Sequence, residues 1–111
     1  MNLDGYYQDH LKHMRGACSD DAWFSYKLPI LAALTSTRKS VSIDFIQKKT
    51  KIKERVRIRK ILIEWGQFLR TQSKTLENRP GKFYSLYHSS FHRFVFDLEE
   101  VSDQRFDLGI S

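Results

Sequence analysis

The segment that decides the fold is VSIDFIQKKTKIKERVRIRKILIEWGQFL, residues 41–69. Ser42 is the predicted N-cap of a short helix, IDFIQKKT, because its hydroxyl can accept a hydrogen bond from the first turn. A tight TKIK connection follows, in which Ile52 is expected to contact the core. A second helix is then predicted from about Lys53 to Arg70. A short helix, a tight turn and a longer helix together predict a helix-turn-helix.

The long second helix is predicted from apolar residues at helical spacing. They recur at i, i+3, i+4, i+7, i+10 and i+11, which places them on one face of a helix. These residues are Ile58, Ile61, Leu62, Trp65, Phe68 and Leu69. The pattern predicts that this face is buried against the rest of the domain.

The residues that follow, KTLENRPGKFYSLYH, predict a β-hairpin. Asn78, Arg79, Pro80 and Gly81 are turn-forming residues. We expect strands on either side of them, at Lys74–Leu76 and Phe83–Tyr87. A hairpin directly after a helix-turn-helix predicts a winged helix.

A last helix is predicted directly after the hairpin. Either Ser89 or Ser90 is expected to cap it, since serine hydroxyls favour that position. Its apolar positions are Phe91, Phe94, Val95 and Leu98. The remaining residues, VSDQRFDLGIS, are polar and weakly patterned, and they are expected to form a frayed tail or a linker.

Two helical regions precede the helix-turn-helix. Residues 3–15 carry a wide apolar face, and Gly16 is a plausible stop. In CSDDAWFSYKLPILAALTS, Ser19 or Asp20 is the expected N-cap of a mostly buried helix. Pro29 is expected either to kink this helix or to mark a new start, so the region is one bent helix or two short ones.

The sequence therefore predicts a mainly α protein with a small β-hairpin. The architecture is a winged helix, a helix-turn-helix plus a wing, with an extra N-terminal helix. We assign residues 1–17 to the N-terminal helix, 18–100 to the winged-helix domain and 101–111 to a tail or linker.

Composition limits the classes of protein that this chain can belong to. A chain of 111 residues with 41% hydrophobic residues fits one domain with its own core. No apolar run approaches the roughly 20 residues of a spanning helix, and the N-terminus is too polar for a signal peptide. The single Cys18 fits a reducing compartment, so we expect a cytoplasmic protein without a membrane partner.

The net charge of +6 favours a polyanionic partner or an acidic protein face, although a well-solvated surface explains it equally well. The basic residues concentrate in QKKTKIKERVRIRK. If the domain binds DNA, this second helix would enter the major groove, with Arg55 and Arg57 near its start. Lys82 in the wing would then hold a phosphate. A third alternative is a protein-interaction module that presents the basic helix to an acidic partner.

Motifs for catalysis are absent from the sequence. It contains no G-x-x-x-x-G-K-[ST] phosphate loop, no G-x-G-x-x-G motif and no nucleophile elbow. His88 and His92 are spaced i, i+4, but neither has the adjacent acid of an H-E-x-x-H site. We therefore expect no catalytic residues and no metal site in this chain.

Three stretches in the same order resemble the winged-helix region of signalling ATPases of the STAND class, specifically NACHT-type proteins. GYYQDHLKHM is similar to the helix that leads out of the ATPase helical domain in such proteins. Residues 28–69 are similar to their helix-turn-helix core. YSLYHSSFHRFVFD resembles the family signature Y-x-x-x-H-x-S-F-x-x-F, and it matches at Tyr84, His88, Ser90, Phe91 and Phe94. Together the stretches cover most of residues 5–98, and the last is the most specific.

The resemblance implies a role for His88. In such proteins the signature histidine contacts the β-phosphate of bound ADP and helps to keep the protein closed. His88 is therefore the expected phosphate contact, at a strand-to-helix joint where free helix amides favour an anion. The alternative is that His88 only ties down the last helix.

The resemblance also implies partners that this sequence does not contain. They are the ATPase and helical domains of the same parent chain, with WD or other repeats downstream, and ADP or ATP would bind in the parent protein. The phosphate loop, the magnesium-binding acids and the sensor arginine of the family are missing from these 111 residues. The chain is therefore expected to be a non-catalytic regulatory module with no cofactor of its own, either a domain of a larger protein or a solitary relic of one.

Overall fold

A computed structural model of the chain describes residues 3–110 and contains seven α-helices and one β-hairpin in this range. The helices are α1 (Leu3–Arg15), α2 (Asp20–Ala22), α3 (Leu28–Thr35), α4 (Ile43–Thr50), α5 (Arg55–Glu64), α6 (Ser89–Asp97) and α7 (Glu99–Asp107). A π-helical segment, Trp23–Lys27, joins α2 to α3, and a 3-10 turn, Gly66–Phe68, follows α5. The strands are β1 (Leu69–Leu76) and β2 (Arg79–Leu86), which pair antiparallel.

The centre of the molecule is α3, whose eight residues are all buried. It packs against α4, α6, α7, β2 and the π-helical segment. The sequence LPILAAL is apolar all round, which is the composition of a helix enclosed by other elements rather than one at a surface. These five elements are therefore arranged around α3.

The helix-turn-helix forms at the predicted position. Ser42 accepts a hydrogen bond from the Phe45 amide at 3.1 Å, so it caps α4 as expected. Lys51 ends this helix in the left-handed conformation (φ 62°), and Ile52 is buried in the core, also as expected. The backbone of Val41, just before this unit, exchanges two hydrogen bonds with Tyr84 of β2 at 2.8 and 2.7 Å. This bridge fixes the hairpin beside the helix-turn-helix, in a winged-helix arrangement.

The predicted extent of the second helix is wrong. It ends at Glu64 rather than near Arg70, and the chain turns through Gly66–Phe68 into β1. Trp65, Phe68 and Leu69 are nevertheless buried, as their spacing suggested. Burial was therefore predicted correctly for these residues and the secondary structure was not.

The hairpin is present, but its turn lies two residues earlier along the chain than predicted. The connecting residues are Glu77 and Asn78, both with positive φ (52° and 64°), as in a two-residue hairpin turn. Arg79, Pro80 and Gly81, expected in the turn, belong to β2 instead. A proline is tolerated there because each strand of a two-stranded sheet has a free edge.

Helix α1 is fastened to the core at its C-terminal end. It stops at Gly16, which adopts a positive φ of 64°. The Lys27 ammonium donates to the carbonyls of Met14 and Arg15 at 2.9 and 2.8 Å and pairs with Glu64 at 2.5 Å. The Trp65 indole N–H donates to the same Met14 carbonyl at 2.8 Å. These contacts join α1 to the end of α5.

The region around Pro29 forms one continuous helical run from Asp20 to Thr35. Ser19 caps it by accepting a hydrogen bond from the Ala22 amide at 3.1 Å. Pro29 has no N–H, so the carbonyl four residues earlier cannot receive the usual helical bond. The chain widens into the π-helical segment just before it, where the Leu28 amide donates to the Trp23 carbonyl.

The expectation of a frayed tail at residues 101–111 is wrong for the described part of that segment. Residues Glu99–Asp107 form α7, in which Val101 is fully buried and packs with the core. The Arg105 guanidinium is also buried, donates to the Phe96 carbonyl at 2.9 Å and lies 3.9 Å from the Phe96 ring centre. Because a buried arginine occupies a core position, hydrophobic patterning alone does not reveal this helix. Ser111 lies outside the described residues.

The predicted fold class is confirmed: the protein is mainly α with a small β-hairpin, in a winged-helix arrangement with an additional N-terminal helix. In the part of the chain from Leu3 to Ile110, none of the helices has the length and apolarity needed to span a bilayer.

Candidate functional site

His88 is the residue that begins α6. It has an extended backbone (φ −145°, ψ 144°), and its Nδ1 accepts a hydrogen bond from the Ser90 amide at 3.0 Å. The N-cap is therefore His88, and the expectation that Ser89 or Ser90 would cap this helix is wrong. The imidazole replaces the usual serine hydroxyl as the cap, because a ring nitrogen with a lone pair can accept a hydrogen bond from an amide of the first turn.

This cap determines which nitrogen of His88 carries the proton. A backbone N–H can only donate, so Nδ1 must be the unprotonated nitrogen, and in the neutral ring Nε2 carries the hydrogen. Among residues 3–110, Nε2 has no hydrogen-bond partner, and His88 is exposed. The capping contact thus leaves one N–H donor available to a group outside the domain.

His88 lies in a cleft of about 620 Å³, which we call the arginine cleft. Three arginines and two histidines line it, and none of the described residues that line it is an Asp or a Glu. Its charged and polar lining includes Arg38, Arg70, His88, Ser90, His92 and Arg93. A concave surface with this composition favours an anion.

Three separate elements supply the arginines. Arg38 comes from the loop between α3 and α4, Arg70 from the start of β1, and Arg93 from the first turns of α6. The register of the hairpin pairs Arg70 with Ser85, which brings it next to the end of β2 where His88 follows. Sequence reasoning missed all three arginines, because only the packing of these elements brings them together.

His88 and His92 do not form a metal pair. The Nε2 atom of His92 lies 3.0 Å from the carbonyl of Thr37, so this ring ties α6 to the loop after α3. The Nδ1 atom of His88 is occupied by the Ser90 amide. Within the described range, no group of three or more His, Cys, Asp or Glu side chains could hold a metal ion.

The residues predicted for DNA contact lie away from the arginine cleft. The Arg55 guanidinium forms an ion pair with Asp44, and that of Arg57 lies 4.6 Å from the centre of the Tyr26 ring. Lys82 is exposed on β2 and pairs with Ser73, so it lies on the hairpin face opposite to Arg70. The two arginines at the start of α5 are therefore engaged within the domain.

His10 occupies a second polar position, on α1 under the end of the hairpin. Its Nε2 lies 2.9 Å from the Tyr87 hydroxyl, and its ring packs at 5.3 Å from that of Phe91. Burial lowers the pKa of His10, with a smaller opposing effect of Asp9, and burial also raises the pKa of Tyr87. Both shifts favour the neutral forms, so this pair is a packing contact rather than a charged site.

No protein-family model, no curated protein and no solved structure matches this chain. Function therefore has to be inferred from the residues themselves and from the arginine cleft.

Proposed function

We propose that this domain is a regulatory winged-helix module of a NACHT-type signal-transduction ATPase. It packs on the nucleotide-binding domain of the same parent chain, in the cytoplasm, and distinguishes the ADP state from the ATP state. The nucleotide belongs to the parent protein, and the module itself carries out no catalysis. His88 is the residue that contacts the phosphate.

The observation that carries this proposal is the exposed Nε2–H donor of His88. A histidine that served only to hold α6 in place could make its hydrogen bond with either nitrogen, and its ring could be buried. Here one nitrogen makes the cap, and the other has no partner among residues 3–110, in a side chain that lines a cationic cleft. An imidazole N–H beside free helix amides is a suitable donor set for a phosphate oxygen.

The way α1 is attached supports movement of the module as one body. In the proposed parent protein, α1 connects to the ATPase helical domain. Lys27 and Trp65 both donate to the Met14 carbonyl at the end of α1. Loss of the His88 contact when a γ-phosphate is present would therefore release α1 and the winged helix together.

The proposal is tested by substitutions that separate capping from phosphate contact. His88→Ser keeps an oxygen that can cap α6 but removes the Nε2–H, whereas His88→Ala removes both. In the longer protein that the proposal requires, both variants should retain less ADP after purification than the wild type. The measurement is the nucleotide content of the purified protein by chromatography.

The matched control is His13→Ala. His13 is exposed on α1, and its Nδ1 lies 2.8 Å from the Asp9 carbonyl, outside the arginine cleft. It should retain ADP as the wild type does. Normal ADP retention in His88→Ser would leave His88 with a capping role only. A parent reading frame without a phosphate loop upstream would also contradict the proposal.

Binding of duplex DNA by α5 stays the alternative prediction, with Arg55, Arg57 and Lys82 as its contacts. It requires Arg55 and Arg57 to leave Asp44 and Tyr26. Mobility-shift titrations at increasing salt test it, because each phosphate contact makes the affinity more sensitive to salt. If the alternative is correct, Arg55→Ala and Arg57→Ala should each reduce both the affinity and its dependence on salt.

A further inference from the structure

The arginine cleft offers more positive charge than the single histidine contact of the proposed function requires. Three guanidinium groups line the cleft together with His88, and of these only that of Arg93 is paired with a carboxylate among the described residues. A single phosphate group carries at most about two negative charges near neutral pH, and one bidentate contact to it uses one guanidinium. Donors from separate elements around one cleft therefore favour a larger anion.

The arginines differ in how far they are already engaged. Arg93 is committed, because its Nε donates to the Asp97 carboxylate at 3.0 Å. Arg70 reaches only the Tyr87 carbonyl, at a long 3.4 Å. Arg38 is exposed and makes no hydrogen bond or ion pair within residues 3–110. Two guanidinium groups, those of Arg38 and Arg70, are therefore available to a ligand.

Arginine suits a phosphate group better than the compact charge of a lysine does. Its planar guanidinium donates two parallel hydrogen bonds to two oxygens of one phosphate. Arg38 and Arg70 come from different elements, the loop before α4 and the start of β1, so they approach the cleft separately. Each can then hold a different phosphate group of the same ligand.

The geometry points to an oligophosphate as the ligand of the arginine cleft, meaning an anion with at least two linked phosphate groups. Arg38 and Arg70 bind these groups beside the Nε2–H of His88. That the physiological ligand is the diphosphate of ADP rests on the proposed function. The preference for linked phosphates is inferred only from the side chains of the cleft, so it can be measured on this chain without the parent protein.

The test is a calorimetric titration of the purified 111-residue chain with inorganic pyrophosphate and, separately, with orthophosphate. An added phosphate–guanidinium contact at an exposed site is worth up to about 1 kcal/mol, which is about fivefold in affinity. Pyrophosphate should therefore bind about fivefold more tightly than orthophosphate. ADP should match pyrophosphate within about twofold, because the cleft recognises the phosphates.

Substitutions identify the side chains responsible. Arg38→Ala and Arg70→Ala should each weaken pyrophosphate binding about fivefold. Lys82→Ala is the matched control, since it removes one exposed positive charge from the opposite face of the hairpin. Because Lys82 does not line the arginine cleft and salt at about 0.1 M screens exposed charges, Lys82→Ala should leave the affinity nearly unchanged.

Three results would overturn the inference: equal affinities for pyrophosphate and orthophosphate, equal weakening by Arg38→Ala and Lys82→Ala, or ADP binding far tighter than pyrophosphate. Each of these is independent of the proposed function. Loss of ADP from the His88→Ser parent protein would still support the switch if pyrophosphate failed to bind here. The opposite combination is also informative. If pyrophosphate binding depends on the arginines and the His88→Ser parent protein retains ADP normally, the oligophosphate site is supported and the nucleotide switch is refuted.

Discussion

The Nδ1 atom of His88 accepts the amide hydrogen of Ser90 at 3.0 Å, so a single imidazole starts α6, lines the arginine cleft and leaves its second nitrogen without a partner among residues 3–110. The capping role and the proposed phosphate-binding role use different nitrogens, and they can be separated by substitution. The capping role is a matter of stability and can be measured without any ligand.

We expect His88→Ala to lower the free energy of unfolding by about 1 kcal/mol, the typical contribution of a helix cap. His88→Ser should lower it by less than half as much, because the serine hydroxyl can accept from the Ser90 amide. Urea unfolding followed by circular dichroism measures both values. Equal losses in the two variants would show that the Ser90 contact contributes little.

Lys27 is expected to be the most consequential charged residue for stability. Its side chain is 6% exposed, and its ammonium satisfies two carbonyls at the end of α1. Lys27→Met should cost about 2–3 kcal/mol, because both carbonyls lose a charged donor inside the protein. Chemical denaturation is again the measurement.

Two controls accompany the Lys27 prediction. Lys60→Met removes an exposed lysine of α5 and should change stability by less than about 0.5 kcal/mol. Glu64→Gln should cost less than about 1 kcal/mol, because the Glu64 side chain is 53% exposed and water can solvate it. If Lys27→Met behaved like Lys60→Met, the α1 attachment described above would be unimportant for stability.

His10 should make the stability of the domain depend on pH. Burial lowers its pKa below the ordinary value of 6.5, so the unfolded chain takes up the proton more readily than the folded chain. The free energy of unfolding should therefore fall as the pH drops through 6.5 and level off below the folded pKa.

The comparison of two variants isolates this effect from that of the carboxylates. His10→Gln can still reach the Tyr87 hydroxyl but does not titrate, so its stability should fall less than that of the wild type between about pH 7.5 and pH 5.5. His13→Gln removes a neighbour that also lowers the pKa of His10, though less than burial does, so it should weaken the pH dependence less than His10→Gln does. Identical slopes for His10→Gln and the wild type would contradict the prediction.

Helix α7 should be required for the folded state. Val101 is fully buried, so Val101→Ala is expected to cost about 2 kcal/mol in unfolding free energy. Phe106 is 84% exposed on the same helix, and Phe106→Ala should change it by less than about 0.5 kcal/mol although more atoms are removed. A larger loss for Phe106→Ala than for Val101→Ala would mean that α7 packs differently.

The sequence predicts burial more reliably than it predicts helix ends. Trp65, Phe68 and Leu69 continue the apolar spacing of α5, and all three are buried. They belong to a helix end, a 3-10 turn and a strand. Periodicity indicates which residues face the core but not their backbone hydrogen bonding, so it predicted the burial and not the secondary structure. Gly66, which favours a helix stop, was the signal for the break.

The arginine cleft, in contrast, could not be predicted from the sequence. The resemblance to a family signature singled out His88, which is exposed and whose Nε2 has no hydrogen-bond partner among residues 3–110. Arg38 and Arg70 lie far from that signature in sequence, and each resembles an ordinary solvated arginine in its own segment. Their neighbourhood is set by the packing of the loop before α4 and of β1, which no local pattern encodes.

The complete enclosure of α3 has a consequence for how such a module can diversify. All eight of its side chains are buried, so a substitution there must conserve volume or leave a void. No binding protein can touch this helix directly, and selection for a new contact acts on the surrounding elements. The exterior can therefore be remodelled extensively while the interior changes very little.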